Sequence, residues 1–220
     1  MKYKAIIFDF DGVLVDTEVI KYKAWQKIAS RFGKTIDKGF FNKNCIGKSG
    51  ELVAGLLCKR YNLNLNPLEF SKLMYKISVP MLKKDIKPIK SNISFLKNCH
   101  NISGRKIGIA SSQEKELLMY TLKKLGLEKY FDAVIAGNEI KNKKPSPDIY
   151  LKACKKLSVQ PKECIVIEDT ETGVEAAYGA KIGKIIAIPK RLTAKQDFSK
   201  ADVKINANLS DEILDILKNQ

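Results

Sequence analysis

The chain lacks any apolar run close to the roughly 18 residues that a membrane-spanning helix requires. Its start carries Lys2 and Lys4 ahead of a short apolar stretch that stops at Asp9, too brief for a secretory signal. The expected location is the cytoplasm, with no membrane partner. Cysteine is scarce: Cys45, Cys58, Cys99, Cys154 and Cys164 are odd in number, far apart and form no CxxC pair, so neither a disulfide framework nor a zinc site is indicated. Arginine is nearly absent. Of 40 basic residues only Arg31, Arg60, Arg105 and Arg191 are arginines, so the net charge of +16 rests on 36 lysines distributed along the whole chain. Planar, bidentate phosphate recognition favours arginine, which argues for a generally basic surface over a dedicated nucleic-acid face. With 13 glycines and 7 prolines in 220 residues, no repeat and no low-complexity tract, the composition is that of an ordinary folded chain rather than a disordered one.

Short β-branched runs are present instead: KAIIFDF near 4–10, RKIGIASS at 105–112, FDAVIAG at 131–137, ECIVIED at 163–169 and GKIIAIP at 183–189. Between them lie helix-period segments, among them 113–126, stopped by Gly126, and 146–158, with proline in its first turn. Alternating strands and helices predict an α/β fold, a Rossmann-like parallel sheet covered on both faces, with ligands bound at the carboxyl ends of the strands. Residues 17–86 break that alternation. EVIKYKAWQKIASRFG is an amphipathic helix ending at Gly33, and further helical pieces follow at about 49–61 and 67–84 without a convincing strand. We therefore expect a core domain of 1–16 and 87–220 with a helical insertion at 17–86.

The chemistry begins with the apolar run AIIF leading into Asp9, Asp11 and Gly12. Asp-Gly as a turn signal accounts for Asp11, but Asp9 lies between Phe8 and Phe10, and an ionised carboxylate taken out of water needs a partner or a metal. Glu168-Asp169 ends the run CIVIED in the same manner, although acids also suit a helix N-terminus. If the two strands are neighbours, their acids converge on a hard divalent cation, and Mg²⁺ suits carboxylates, water and a phosphate oxygen. Ser111 and Ser112 precede a helix and offer a hydroxyl and backbone N–H groups to an anion, while Ser111-x-x-Glu114 also spells a capping box. Lys144 is one of 36 lysines, and only its place in the loop after FDAVIAG singles it out.

Taken together, DFDGVLVDTE, IASS, KKPSPDIY and IEDTETGVEAA resemble, in order and over nearly the whole chain, the four motifs of the haloacid dehalogenase-like superfamily. The similar branch holds β-phosphoglucomutase-like and phosphoglycolate phosphatase-like enzymes. The resemblance implies an Mg²⁺-dependent phosphatase acting on a small phosphorylated metabolite. Asp9 would be the nucleophile that forms an aspartyl phosphate, and Asp11 the general acid and base. Asp9, Glu168, Asp169 and the Asp11 backbone carbonyl would hold the metal, with Ser111, Ser112 and Lys144 on the phosphoryl oxygens. The insertion would be the family's small cap, with Lys21, Lys48 and Ser49 as candidates for substrate selection. Two departures set the chain apart from the mutases: Lys21 stands where they carry a cap histidine, and Gly50 where they carry an arginine after Gly-x-Ser. Hydrolysis is therefore expected over phosphosugar transfer. Phosphonoacetaldehyde hydrolases lack an aspartate at the position of Asp11, and dehalogenases need neither it nor the metal acids, so C–P and C–halogen chemistry rank low. The sole histidine, His100, lies outside the insertion and reads as a loop or helix-end residue. A polyanion-binding protein without catalysis is the competing class. The expected assembly is a monomer.

Overall fold

Every residue from Ala5 to Phe8 is fully buried, which is possible only for a strand with neighbours on both edges and cover on both faces. The computed structural model, which describes residues 2–102, 104–205 and 209, supplies both. The end of the range expected for the core, 206–208 and 210–220, lies outside the described residues. The strands are β1 (Ala5–Phe8), β2 (Val15–Asp16), β3 (Lys87–Pro88), β4 (Lys106–Ala110), β5 (Ala133–Ile135), β6 (Cys164–Glu168), β7 (Lys184–Ala187) and β8 (Val203–Lys204). Six of them form one parallel sheet in the order β5-β4-β1-β6-β7-β8, and β2 pairs with β3 in a separate ribbon. The chain thus starts in the middle and builds outward in both directions, the doubly wound arrangement expected of alternating strands and helices. All five β-branched runs contain a sheet strand, each shorter than the segment quoted.

Two compact units emerge, one of Met1–Asp16 with Pro88–Gln220 and one of Thr17–Lys87. Among its described residues the second unit consists of α1 (Glu18–Ala29), α2 (Lys38–Asn44), α3 (Gly50–Tyr61) and α4 (Pro67–Asp85), with a 3₁₀ turn at Ser30–Phe32 closed by Gly33. Helix α4 packs on both α1 and α3. Trp25 and Phe70 meet edge to face with ring centroids 4.9 Å apart, a contact worth about 0.5–1.5 kcal/mol beyond the area it buries. Periodicity did not reveal α2. Its seven residues, KGFFNKN, are too few to display a repeat, and the Asp37 carboxylate starts the helix by accepting from the Phe40 N–H at 2.6 Å.

Among the described residues of the first unit the helices are α5 (Lys90–Ile102), α6 (Lys115–Lys124), α7 (Asp148–Leu157) and α8 (Glu171–Gly179). Alternation along the strands divides the sheet into two faces. Ala5, Ile7, Val166 and Ile185 join the apolar side of α7 and α8, whereas Phe8 meets Phe95 of α5 edge to face at 6.3 Å. After α8 the chain turns through Lys181 at φ 58°, the left-handed conformation in which a non-glycine residue costs about 1 kcal/mol.

Candidate active site

Register places the chemistry. Phe8 is paired with Ile109 on one side and Ile167 on the other, so the next residue of each strand brings Asp9, Ala110 and Glu168 level at the carboxyl edge. Asp9 extends the ladder by one bond, its N–H donating to the Ile167 carbonyl at 2.9 Å. Asp9, Glu168 and Asp169 are only 7%, 0% and 4% exposed, so three carboxylates share a space with almost no water. Each offers one oxygen within 4.8 Å of the others.

Gly12 makes this convergence possible. It turns the chain at φ 80°, and a Cβ there would lie 1.9 Å from Asp169 Oδ2. Glycine is required both for the backbone angle and for the approach of that carboxylate.

One ammonium lies among the acids. The Lys144 side chain, 6% exposed, donates to Asp9 Oδ1 at 2.6 Å, Glu168 Oε1 at 2.6 Å and the Ala110 carbonyl at 3.1 Å. These three acceptors use all three of its protons. Burial works against its charge, but Asp9 and Glu168 outweigh that and hold the amine well above its ordinary value. Burial drives Asp9 the other way for a carboxyl, up to about 7, opposed by Lys144 and reinforced by Glu168 and Asp11. Lys190, half-buried beyond β7, adds a longer-range attraction to Asp169, while burial lowers its own ammonium. Three buried carboxylates with one ammonium in their midst fit a divalent cation held by oxygen.

Glu168 is the most committed of the acids. Its Oε1 accepts from Lys144 and from the Tyr150 hydroxyl at 2.8 Å, and its Oε2 accepts from Asp169 N–H, Thr170 N–H and Thr170 Oγ1 at 2.9, 3.2 and 3.1 Å. Tyr150, fully buried on α7, also lies under Lys144, with Nζ 4.9 Å from its ring centroid. Sequence reasoning missed Tyr150 as a member of the site. No local signal marks it, because only the packed fold shows that this tyrosine is buried and that its hydroxyl must find an acceptor.

The serine loop differs from the capping-box expectation. Helix α6 starts at Lys115 with Glu114 as its N-cap residue, so Ser111 does not cap it. Instead Ser111 Oγ accepts from the Gln113 N–H at 3.1 Å, and Ser111 N–H donates to the Ile135 carbonyl at 3.0 Å. Ser111 is fully buried and Ser112 is exposed. Asp11, half-buried, receives a 2.8 Å hydrogen bond from Gln113 Nε2. Gln113 was also missed, and nothing in the local pattern SSQEKE distinguishes it from a surface residue.

In the helical unit the three selected residues have local roles. Lys21 pairs with Glu18 at 3.0 Å. Ser49 is the N-cap of α3, accepting from the Leu52 N–H at 3.4 Å. Lys48 is exposed, and its N–H donates to the Cys45 carbonyl at 3.3 Å. No helix among the described residues is long and apolar enough to cross a membrane.

The family model described as haloacid dehalogenase-like hydrolase matches residues 6–187. A phosphorylated carbohydrates phosphatase of Thermotoga maritima is 30% identical over 218 residues, 98% of either chain. Fructose-1-phosphate phosphatase YqaB of Escherichia coli is 29% identical over 180 residues, 81% of this chain and 93% of that one. The crystal structure of β-phosphoglucomutase from Clostridium difficile superposes with a TM-score of 0.78 at 27% identity, covering 99% of this chain and 97% of that one.

Proposed function

Since the chain belongs to the haloacid dehalogenase-like hydrolases, we propose that it is a phosphatase that hydrolyses a small phosphorylated carbohydrate or similar monoester through an aspartyl phosphate on Asp9. The observation that carries this reading is the convergence of Asp9, Glu168 and Asp169 within 4.8 Å at adjacent strand ends, with Lys144 bridging two of them. The named phosphatases among its relatives support the substrate class.

Asp9 Oδ1 is held by Lys144, which leaves Oδ2 to attack phosphorus and displace the leaving oxygen in line. Asp11, held by Gln113, delivers a proton to that oxygen and then takes one from the water that hydrolyses the phospho-aspartate. Lys144 exchanges its bond to Asp9 for a phosphoryl oxygen as Asp9 engages phosphorus, keeping one positive charge on the transferring group throughout. The Ser111 hydroxyl and the Ser112 N–H would bind the remaining oxygens, since the Ser111 and Gln113 N–H groups are used within the fold. Asp9, Glu168, Asp169 and the Asp11 carbonyl would hold Mg²⁺. When bound, that ion supplies Lewis-acid neutralisation of the phosphoryl charge. The unit of 17–87 acts as the cap that excludes water and selects the leaving group.

Phosphosugar transfer is the second reading, prompted by the mutase among the relatives. It is weakened at two positions. The Lys21 ammonium is engaged by Glu18, and a Cβ on Gly50 would stand 2.7 Å from Ser71 Oγ, so that position has no room for the mutases' arginine without displacing Ser71. The deciding experiment is phosphate release from a panel of sugar phosphates, phosphoglycolate and nucleotides, with and without Mg²⁺. Metal-dependent release is expected. No release from any compound, together with salt-sensitive binding to DNA or RNA, would establish the polyanion binder instead.

A further inference from the structure

Gln113 holds one unfilled position beside the general acid. Its side chain is buried at 8% exposure, and its Nε2 donates to Asp11 Oδ1 at 2.8 Å. With Nε2 donating to Asp11, the amide carbonyl oxygen Oε1 lies at the other end of the group. That Oε1 is buried and, among the described residues, meets no donor.

The residue cannot easily turn to find one. Its N–H donates to Ser111 Oγ, and its backbone carbonyl accepts from the Gly137 N–H at 2.7 Å. A Cβ on Gly137 would lie 2.3 Å from the Ser112 carbonyl oxygen, so the loop before α6 is pressed against residue 137 and its backbone has little freedom. A buried carbonyl without a donor is destabilising, and the deficit ends when an arriving group brings an O–H.

We propose that Gln113 is a specificity-determining residue: its carbonyl oxygen accepts a hydrogen bond from a hydroxyl on the leaving group, so the enzyme prefers polyol and sugar monoesters over those without a neighbouring hydroxyl. The inference rests on the phosphatase reading, in which Asp11 protonates the leaving oxygen. Gln113 Oε1 lies no more than ~5 Å from Asp11 Oδ1, one hydrogen bond plus the width of an amide. The alcohol released at Asp11 therefore passes within reach of it. A site built to bond a substrate hydroxyl rejects the analogue lacking it, because the protein group is then left without a partner. Phosphoglycolate, which presents a carboxylate in place of a donor, belongs with the rejected esters.

The test uses two esters that differ by one hydroxyl, 2-hydroxyethyl phosphate and ethyl phosphate, assayed with Mg²⁺ on wild type, Gln113→Met and Gln113→Asn. For wild type we expect kcat/KM to favour the hydroxyl-bearing ester by about ten- to a hundredfold. Methionine, of similar length and without an acceptor, should reduce that preference to about twofold or less, and asparagine should retain part of it. The ratio within each variant is independent of how much of the protein folds. A wild-type ratio near one, or a methionine variant that keeps the full preference, overturns the assignment while leaving the phosphatase intact. Turnover of neither ester, nor of any other monoester, removes the phosphatase reading and this inference with it.

Discussion

The carboxyl edge of the sheet and the helical unit of 17–87 are built on opposite terms. At the sheet edge, polar groups are buried and tied to partners distant in sequence: Lys144 reaches Asp9 across 135 residues, and Gln113 reaches Asp11 across 102. In the helical unit, the candidate polar residues bond within a few positions, Lys21 to Glu18 and Ser49 to Leu52. The first region uses tertiary structure to hold charges where water cannot screen them. The second uses these side chains to start and stabilise helices, and four of its large apolar residues, Val19, Phe32, Leu52 and Leu68, are exposed. Chemistry is therefore expected to be intolerant of change at the edge and tolerant in the helices.

The largest effect expected to sharpen this contrast is at Asp9. Asp9→Asn should reduce phosphate release by at least ~10³-fold, with the chain still folded because asparagine keeps the shape and offers Lys144 an amide oxygen in place of the carboxylate. Wild-type turnover in that variant would remove the nucleophile assignment and the contrast with it.

Gly137→Ala ranks next. Its Cβ would meet the Ser112 carbonyl at 2.3 Å, and backbone cannot yield as a side-chain end can. A stability loss of about 1–3 kcal/mol and a fall in kcat/KM on the order of 10²-fold are expected from denaturation and kinetics on the same preparation.

A pH series probes the charge balance. Asp9 sits at about 7 instead of its ordinary 3.8, so the folded metal-free protein holds a proton that the unfolded chain has lost between those values. Its contribution to stability is complete below about pH 4 and disappears as pH rises through 7. Mg²⁺ requires the ionised form, so its apparent affinity should weaken by up to about tenfold per unit below pH 7 and level off above it. Thermal shifts with and without Mg²⁺ at pH 5.5 and 8 measure this. An equal shift at both values would show that Asp9 loses no proton when the metal binds.

The smallest effect belongs to the helical unit. Ser49→Ala removes the cap of α3 and should cost about 1 kcal/mol, with little change in kcat/KM for any accepted ester. A selective change in substrate preference would instead assign Ser49 to specificity and narrow the difference between the two regions.

The sheet strands and the four motif segments were legible because they depend on local pattern. A strand buried on both faces must be an apolar run, and an acid at its end is conspicuous against it. Asp9, Asp11, Glu168, Asp169, Ser111 and Lys144 could all be named on that basis or by the resemblance it exposed. Helix α2 was not legible, because seven residues carry no measurable period. Tyr150 and Gln113 were not legible for another reason: a tyrosine in a helix and a glutamine in a polar loop look alike whether or not a carboxylate waits across the fold.

By itself, then, the order of residues determined which segments become strands and where the charged groups fall along them, since hydrophobic period and turn chemistry act over a few positions. Only the packed sheet decided which partners those charges meet. The alignment of β1 between β4 and β6 brings Asp9 level with Glu168, and exclusion of water makes each such neighbour energetically decisive.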